Sequence, residues 1–432
     1  MFRVDPNIIA LIGLAVMLLL MFLKMPISFA MFVVGFAGVL LMASPGAAFN
    51  LLQAELWTQF SSYSLSIIPL YILMGEIIFR SGITEKLFVA AYKWVGHLKG
   101  GMAGTTVLAS AGFAAICGSN SATAATMSTI ALPELKKYNY DEALSTGSVA
   151  AGGTLGIIIP PSTALIVIAI QTQQSVRQLF AATIIPGVLL TLLFLATISY
   201  ICMRNPEVGP AGPKTPFKEK LLSLKDVIPV FLLFFFVIGG LFLGWFTPTE
   251  SGAFGSFGAI ILALSMRKLT WENFRQSIAS TLRSSTMVIL LIVGAMVFGR
   301  FLTLTRLPFA VAEWVVNLAI PSSAVLIIIL IIFVIGGSLM DALGFLIVSI
   351  PIFYPTVMAL GYDPIWFAIV LNIVTSMGAI TPPVGVNVYV VHGLSGVTMS
   401  TVFRGATYFL VPYVLLVALL IVFPQIVLFV VK

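Results

Sequence analysis

Apolar residues in this chain come in long blocks, divided by short polar, proline- and glycine-containing stretches. Blocks of about 17–28 residues are close to the roughly 20 that carry a helix across a bilayer. The pattern predicts crossings at Asn7–Leu23, Ile27–Ala43, Ser64–Arg80, Ala143–Ile170, Ala182–Met203, Val227–Phe246, Ser251–Met266, Ser277–Phe301, Trp366–Val391 and Thr407–Val430. Two further apolar stretches, Met102 to Pro133 and Ser322 to Pro355, are each interrupted by a polar knot. The knots are Cys117-Gly118-Ser119-Asn120-Ser121 and Gly336-Gly337-Ser338-Leu339-Met340-Asp341. Each half reads as about 12–16 residues, short for a crossing. Both stretches are therefore expected to be re-entrant hairpins, whose broken backbone survives at membrane depth only inside protein or against a cavity.

Residues 204–226 form the one long hydrophilic segment, with Pro206, Pro210, Pro213 and Pro216 among several lysines, and read as a linker between residues 1–203 and 227–432. If the linker is cytoplasmic, Lys24, Lys86, Lys93, Lys99, Lys136, Lys137, Arg267, Lys268, Arg275 and Arg404 share its side. Only Arg3, Arg177, Arg300, Arg306 and Lys432 then lie opposite, as the positive-inside rule requires. Both termini are expected outside.

The two parts repeat. At a shift of 222, Pro133 falls on Pro355, Tyr140-Asp141 on Tyr362-Asp363, Gly156 on Gly378, and Pro160-Pro161 on Pro382-Pro383. At a shift of 220, Arg80 falls on Arg300 and Trp94-Val95 on Trp314-Val315. Each unit holds a span, an amphipathic arm (84–98; 306–318), a hairpin (102–133; 322–355) and a proline-broken helix (143–170; 366–391). Five predicted crossings separate the hairpins, an odd number, so the copies are inverted. The expected fold is an all-α polytopic membrane protein of two inverted repeats, an architecture that places transport sites where the copies meet.

Composition agrees. Hydrophobic residues are 60% and charged residues 9% of 432, far from the soluble average. The net charge of +7 comes from residues lying between apolar blocks, which argues for membrane loops rather than nucleic-acid binding. Cys117, Cys202, His97 and His392 are too few and too scattered for a disulfide framework or a metal cluster. No GxSxG elbow, HExxH pair or P-loop is present, which counts against an intramembrane enzyme. The first apolar run lacks a basic leader and cleavage site, and reads as a span.

The candidate chemistry sits at the knots and broken helices. Paired prolines remove donors and push the preceding residue out of the α region. The stretches Gly152–Thr163 and Ser376–Asn387 should therefore unwind, with carbonyls free to ligate a small hard cation and half-helix N-termini facing an anion. Gly118, Ser119, Asn120 and Gly156 are the expected sodium-site residues of the first copy, and Gly337, Gly378 and Thr381 those of the second. A kink capped locally by hydroxyls is the plainer reading of each break. Asp341 aligns with Ser119. An intramembrane carboxylate marks a functional site by default, while capping its own helix is the structural alternative. Arg300 offers a planar fork for a carboxylate, though Arg80 in the matching position points equally to a structural role. Glu76, one turn before Arg80, is a natural partner for it. Thr247-Pro248-Thr249-Glu250 reads as a capped helix start.

The runs Gly118-Ser119-Asn120-Ser121-Ala122-Thr123, Gly152-Gly153-Thr154-Leu155-Gly156 with Pro160-Pro161-Ser162, Phe246-Thr247-Pro248-Thr249-Glu250 and Ile380-Thr381-Pro382-Pro383-Val384-Gly385-Val386-Asn387 resemble the large membrane subunit of tripartite ATP-independent periplasmic (TRAP) transporters. The resemblance spans essentially the whole chain. It implies an elevator-type carrier with scaffold and transport domains, coupled to sodium and using no other cofactor. It also implies a periplasmic substrate-binding protein, a four-span small subunit expected to be a separate chain, and organic-acid substrates such as C4-dicarboxylates or sialic acids. Ser121, Ser162, Arg300, Asp341 and Asn387 are then the residues expected near substrate. Asn387 is included because it stands where the first copy has Leu165. A stand-alone symporter of the same superfamily is the nearest alternative. A channel would need a continuous polar lining rather than two matched knots.

Overall fold

The structure, a computed structural model, describes residues 5–317 and 320–431; Arg3, Lys432 and the last residue of the second expected arm, 318, lie outside it. The described residues form helices and short 3-10 turns with no strand. Six helices are long and apolar enough to cross a membrane, or seven if the bent pair Phe217–Lys225 and Ile228–Phe242 is one span.

The repeat recurs element by element. Pro6–Phe22 corresponds to Ile228–Phe242, Ile27–Met42 to Pro248–Ser265, and Ile83–Val95 to Leu307–Val316. The hairpin halves Gly101–Cys117 and Asn120–Lys137 correspond to Ser322–Leu339 and Ala342–Ala359. The halves run 17 and 18 residues in the first hairpin and 18 each in the second, longer than the sequence pattern suggests. Helix N-caps at Ser119 and Asp341 let each return half begin directly after its turn, so the polar knots consume almost no helix. Length alone would let the halves of the second hairpin count as crossings. Their turn instead lies against the broken helix of its own copy, the Gly385 amide donating to the Ser338 carbonyl at 2.9 Å.

The two copies exchange partners. Ile27–Met42 packs along Trp271–Thr305, and Pro248–Ser265 packs along Ile67–Arg80, the same pairing with the copies swapped. Glycine makes the first contact close: a Cβ on Gly35 would lie 2.7 Å from the Phe298 Cα. Small residues at such crossings let backbones approach where no hydrophobic drive between helices exists. Trp271–Thr305 has 35 residues, about 52 Å of helix, and therefore outruns the bilayer. Its counterpart is split into Pro45–Phe60 and Ile67–Arg80 by residues 61–66.

Residues 204–226 are more ordered than a linker requires. The segment contains helix Phe217–Lys225 and straps the base of the first hairpin. Gly100 donates to the Gly209 carbonyl at 2.9 Å and Asp141 to that of Val208 at 3.0 Å. The Tyr140 hydroxyl donates to Pro210 at 2.8 Å and accepts from Met102 at 3.1 Å. Burial pushes this phenol up to about 12.

Candidate functional site

Each proline pair interrupts its helix as the residue chemistry demands. The first broken helix runs Glu142–Thr154, a short 3-10 turn Leu155–Ile157, then Thr163–Thr172; the second runs Pro364–Gly378, then Val386–Ser395. The Pro160–Pro161 and Pro382–Pro383 bonds are both cis.

The first hairpin tip lies on the first break. The Asn120 Oδ1 accepts the Ile157 amide at 3.1 Å. Thr163 donates its hydroxyl to the Gly118 carbonyl at 2.8 Å. Ser162, fully buried, donates to the Ile157 carbonyl at 2.6 Å and accepts from Leu165 at 3.3 Å, capping the second half-helix. A Cβ on Gly118 would stand 2.7 Å from the Pro161 oxygen, and one on Gly156 would strike the Ser119 carbonyl. Glycine at both positions lets the backbone of the hairpin tip meet that of the broken helix at close range.

The second tip repeats this. A Cβ on Gly337 would lie 2.6 Å from the Thr375 oxygen, and one on Gly378 2.5 Å from the Gly337 carbonyl carbon. The Thr381 hydroxyl returns to Met377 at 2.8 Å. Asn387 donates its amide N–H to Ala379 at 3.0 Å and its Nδ2 across to Ala150 of the other copy at 3.1 Å.

The two breaks meet. Ser376 donates to the Thr154 carbonyl at 2.9 Å, and these residues stand 222 apart. A residue that touches its own repeat mate lies on the pseudo-twofold axis. The buried Tyr413 hydroxyl closes this point, donating to the Thr154 hydroxyl at 2.6 Å with the Ser376 hydroxyl 3.2 Å away. Asn372 reaches across to the Ile157 carbonyl at 2.7 Å. The buried Oδ1 atoms of Asn372 and Asn387 and the Nδ2 of Asn120 have no partner. Buried polar atoms are normally paired, so these three make the region beside the two breaks the candidate site.

Beside the first tip opens a cavity of about 410 Å³, lined by Ser119, Ser121, Thr163 and Asp341 from the hairpin layer and by Glu76 and Ser284 from the swapped helices. Its lining holds two carboxylates and no lysine, arginine or histidine. Asp341 accepts the Leu343 amide at 3.1 Å while facing this space.

The structure therefore gathers Gly118, Ser119, Asn120, Gly156 and Ser162 at one break, and Gly337, Gly378, Thr381 and Asn387 at the other. Ser121 and Asp341 line the cavity. Arg300 stands apart from it, its Nε 2.6 Å from the Glu55 carboxylate. Arg80, its repeat mate, pairs with Glu76 at 3.3 Å and reaches Gln276 at 2.7 Å and Ser280 at 2.9 Å. Sequence reasoning passed over Asn372, Tyr413 and Ser284. Asn372 carried a usable signal, an amide inside the unbroken apolar run of Pro364–Gly378. Both cysteines are free, and no cluster of metal-ligating side chains occurs among the described residues.

Residues 14–426 match the family model described as the DctM component of the tripartite ATP-independent periplasmic transporter. The chain belongs to this family. It is 34% identical to the C4-dicarboxylate TRAP transporter large permease protein DctM of Pseudomonas aeruginosa, over 90% of each chain. It is 29% identical to the sialic acid large permease SiaM of Vibrio cholerae, over 94% of each. It is also 33% identical to an isethionate TRAP permease of Oleidesulfovibrio alaskensis, over 78% of this chain and 53% of that one. Among solved structures, the YdaH transporter of Alcanivorax borkumensis shares the fold, with a TM-score of 0.63 at 14% identity over 89% of this chain and 91% of that one. This TRAP large permease is thus a multi-pass membrane transport protein of a tripartite system, not an enzyme.

Proposed function

We propose that this TRAP large permease imports an organic acid of the C4-dicarboxylate or sialic-acid type by sodium-coupled, elevator-type movement. The acid is handed over by a periplasmic binding protein, and a four-span small subunit completes the membrane complex. The 204–226 strap faces the cytoplasm and both termini face outward. The single observation that carries this reading is the pair of hairpin tips, each lying on a proline-broken helix, with the two breaks in contact and the amide oxygens of Asn372 and Asn387 unpartnered beside them. Carbonyl and amide oxygens suit sodium, a small hard cation that needs no anionic cluster.

The charge of the cavity supports coupling. Glu76 is paired with Arg80, so an organic anion entering beside Asp341 meets that carboxylate's repulsion unless cations accompany it. Helix N-termini at Ser119 and Ser162 add favourable dipole ends on the same side. The hairpins and broken helices form the moving body, and the swapped helices Ile27–Met42, Ile67–Arg80, Pro248–Ser265 and Trp271–Thr305 form the scaffold.

The test is uptake into proteoliposomes holding the permease and its small subunit, with binding protein and succinate, N-acetylneuraminate or isethionate outside. Uptake of one acid should need both an inward sodium gradient and the binding protein. Equal uptake of free acid without that protein would replace this reading with the stand-alone symporter, and uptake indifferent to sodium would remove the coupling.

A further inference from the structure

The return helix of the first hairpin, Asn120–Lys137, differs chemically from its repeat mate. Its first ten residues include Ser121, Thr123, Thr126, Ser128 and Thr129, whereas the first ten of Ala342–Ala359 include one hydroxyl, Ser349. Both helices pack on the return half of the other copy's broken helix, so packing does not require the difference. Five accessible positions of Asn120–Lys137 form one stripe. Ser121 and Ala125 are half-buried, and Thr129, Pro133 and Lys136 are exposed, at the spacing that places residues on one helical face.

The stripe joins two cavities. Its upper end, Ser121 and Ala125, lines the cavity that holds Asp341. Its lower end, Thr129, Pro133 and Lys136, lines a second cavity of about 990 Å³, walled by Glu142, Ser145 and Thr146 and by residues 394–398. Ala125 and Thr129 are one helical turn apart, about 6 Å. Ser145, only 6% exposed, lies in the wall of this lower cavity. Thr129 bonds its own backbone at Thr126, 2.8 Å away, leaving an acceptor lone pair free. Lys137 pairs with Glu134 at 3.6 Å, while Lys136 has no ion pair among the described residues.

We propose that the lower cavity is the cytoplasmic release station for the transported organic acid, reached along the Ser121–Lys136 stripe, with Lys136 receiving the carboxylate. The charge sequence favours that direction. The anion leaves a cavity where Glu76 is held by Arg80 and Asp341 has no cation in the lining, for one lined by Lys136 and Glu142. Lysine at the mouth holds the acid by a solvated, readily broken contact. The proposal rests on the transport reading above and on the orientation set by the lysine and arginine bias.

The test uses T129C in a C117S/C202S background, in inside-out vesicles treated with a membrane-impermeant maleimide. Labelling should occur from the cytoplasmic side and be slowed severalfold by whichever of succinate, N-acetylneuraminate or isethionate the wild type carries. K136Q should raise the KM for efflux about threefold, the loss expected for one solvent-exposed ion pair, while leaving the sodium dependence of uptake unchanged. Normal wild-type uptake with T129C unprotected, or labelled only from the opposite face, overturns the route alone. Absence of uptake of all three acids by the wild type defeats the transport reading and the route with it.

Discussion

Asp341 accepts the Leu343 amide at the start of its helix and also faces the upper cavity, so substitution can separate the two tasks. Asparagine caps helices about as well as aspartate. D341N should therefore keep the protein folded in membranes while strongly reducing uptake, and near-normal uptake would refute a role for the charge. D341A should in addition lower stability by about 1 kcal/mol, the usual value of a cap. Asn120 and Thr381 test the ion sites. N120A leaves the buried Ile157 amide without its acceptor, and T381A removes a hydroxyl beside the second break. Both should raise the sodium concentration for half-maximal uptake, and unchanged values in both would dismiss the assignment. Tyr413 tests the axis. Y413F deletes the buried hydrogen bond to Thr154, worth about 1–3 kcal/mol with the acceptor left unpaired, and should lower the thermal unfolding midpoint in detergent.

At the scale of elements, the breaks and hairpins were legible because local chemistry dictates them. Two adjacent prolines end a helix whatever surrounds them, and a polar knot in an apolar run needs a turn. Helices Pro45–Phe60 and Phe217–Lys225 were not expected, because their mixed polarity resembles loop composition and their helicity depends on what they pack against. Phe217–Lys225 rests on the arm Ile83–Val95, with Lys86 3.1 Å from Asp226 and Trp94 donating to the Lys220 carbonyl at 3.3 Å. The swapped scaffold pairs depend on close approach. G35L forces a side chain into the Phe298 backbone and should destabilise by about 1–3 kcal/mol or more, read as a loss of monodisperse protein after heating.

At the scale of the molecule, the upper cavity has walls from both proposed bodies: Ser121 from the hairpin and Ser284 from Trp271–Thr305. Elevator movement slides one wall past the other. S121C with S284C, joined by a bis-maleimide in a C117S/C202S background, should lower uptake well below that of either single variant treated alike. Uptake persisting in the cross-linked protein would exclude relative sliding at this surface.

The sequence by itself determined the class of the molecule and the identity of its special segments. Span length, proline pairs, glycine-containing knots and a 222-residue shift are properties of the chain read locally or against itself. Only the tertiary structure decided what those segments touch. Arg300 was a candidate for substrate until Glu55, 245 residues away, proved to be its partner at 2.6 Å. Thr154 and Ser376 were known as a matched pair, but their contact on the axis requires two helices to cross there. The orphaned oxygens of Asn372 and Asn387 likewise exist only once packing has closed around them. Distances between residues far apart in the chain depend on how all the helices pack together, and no local pattern encodes them.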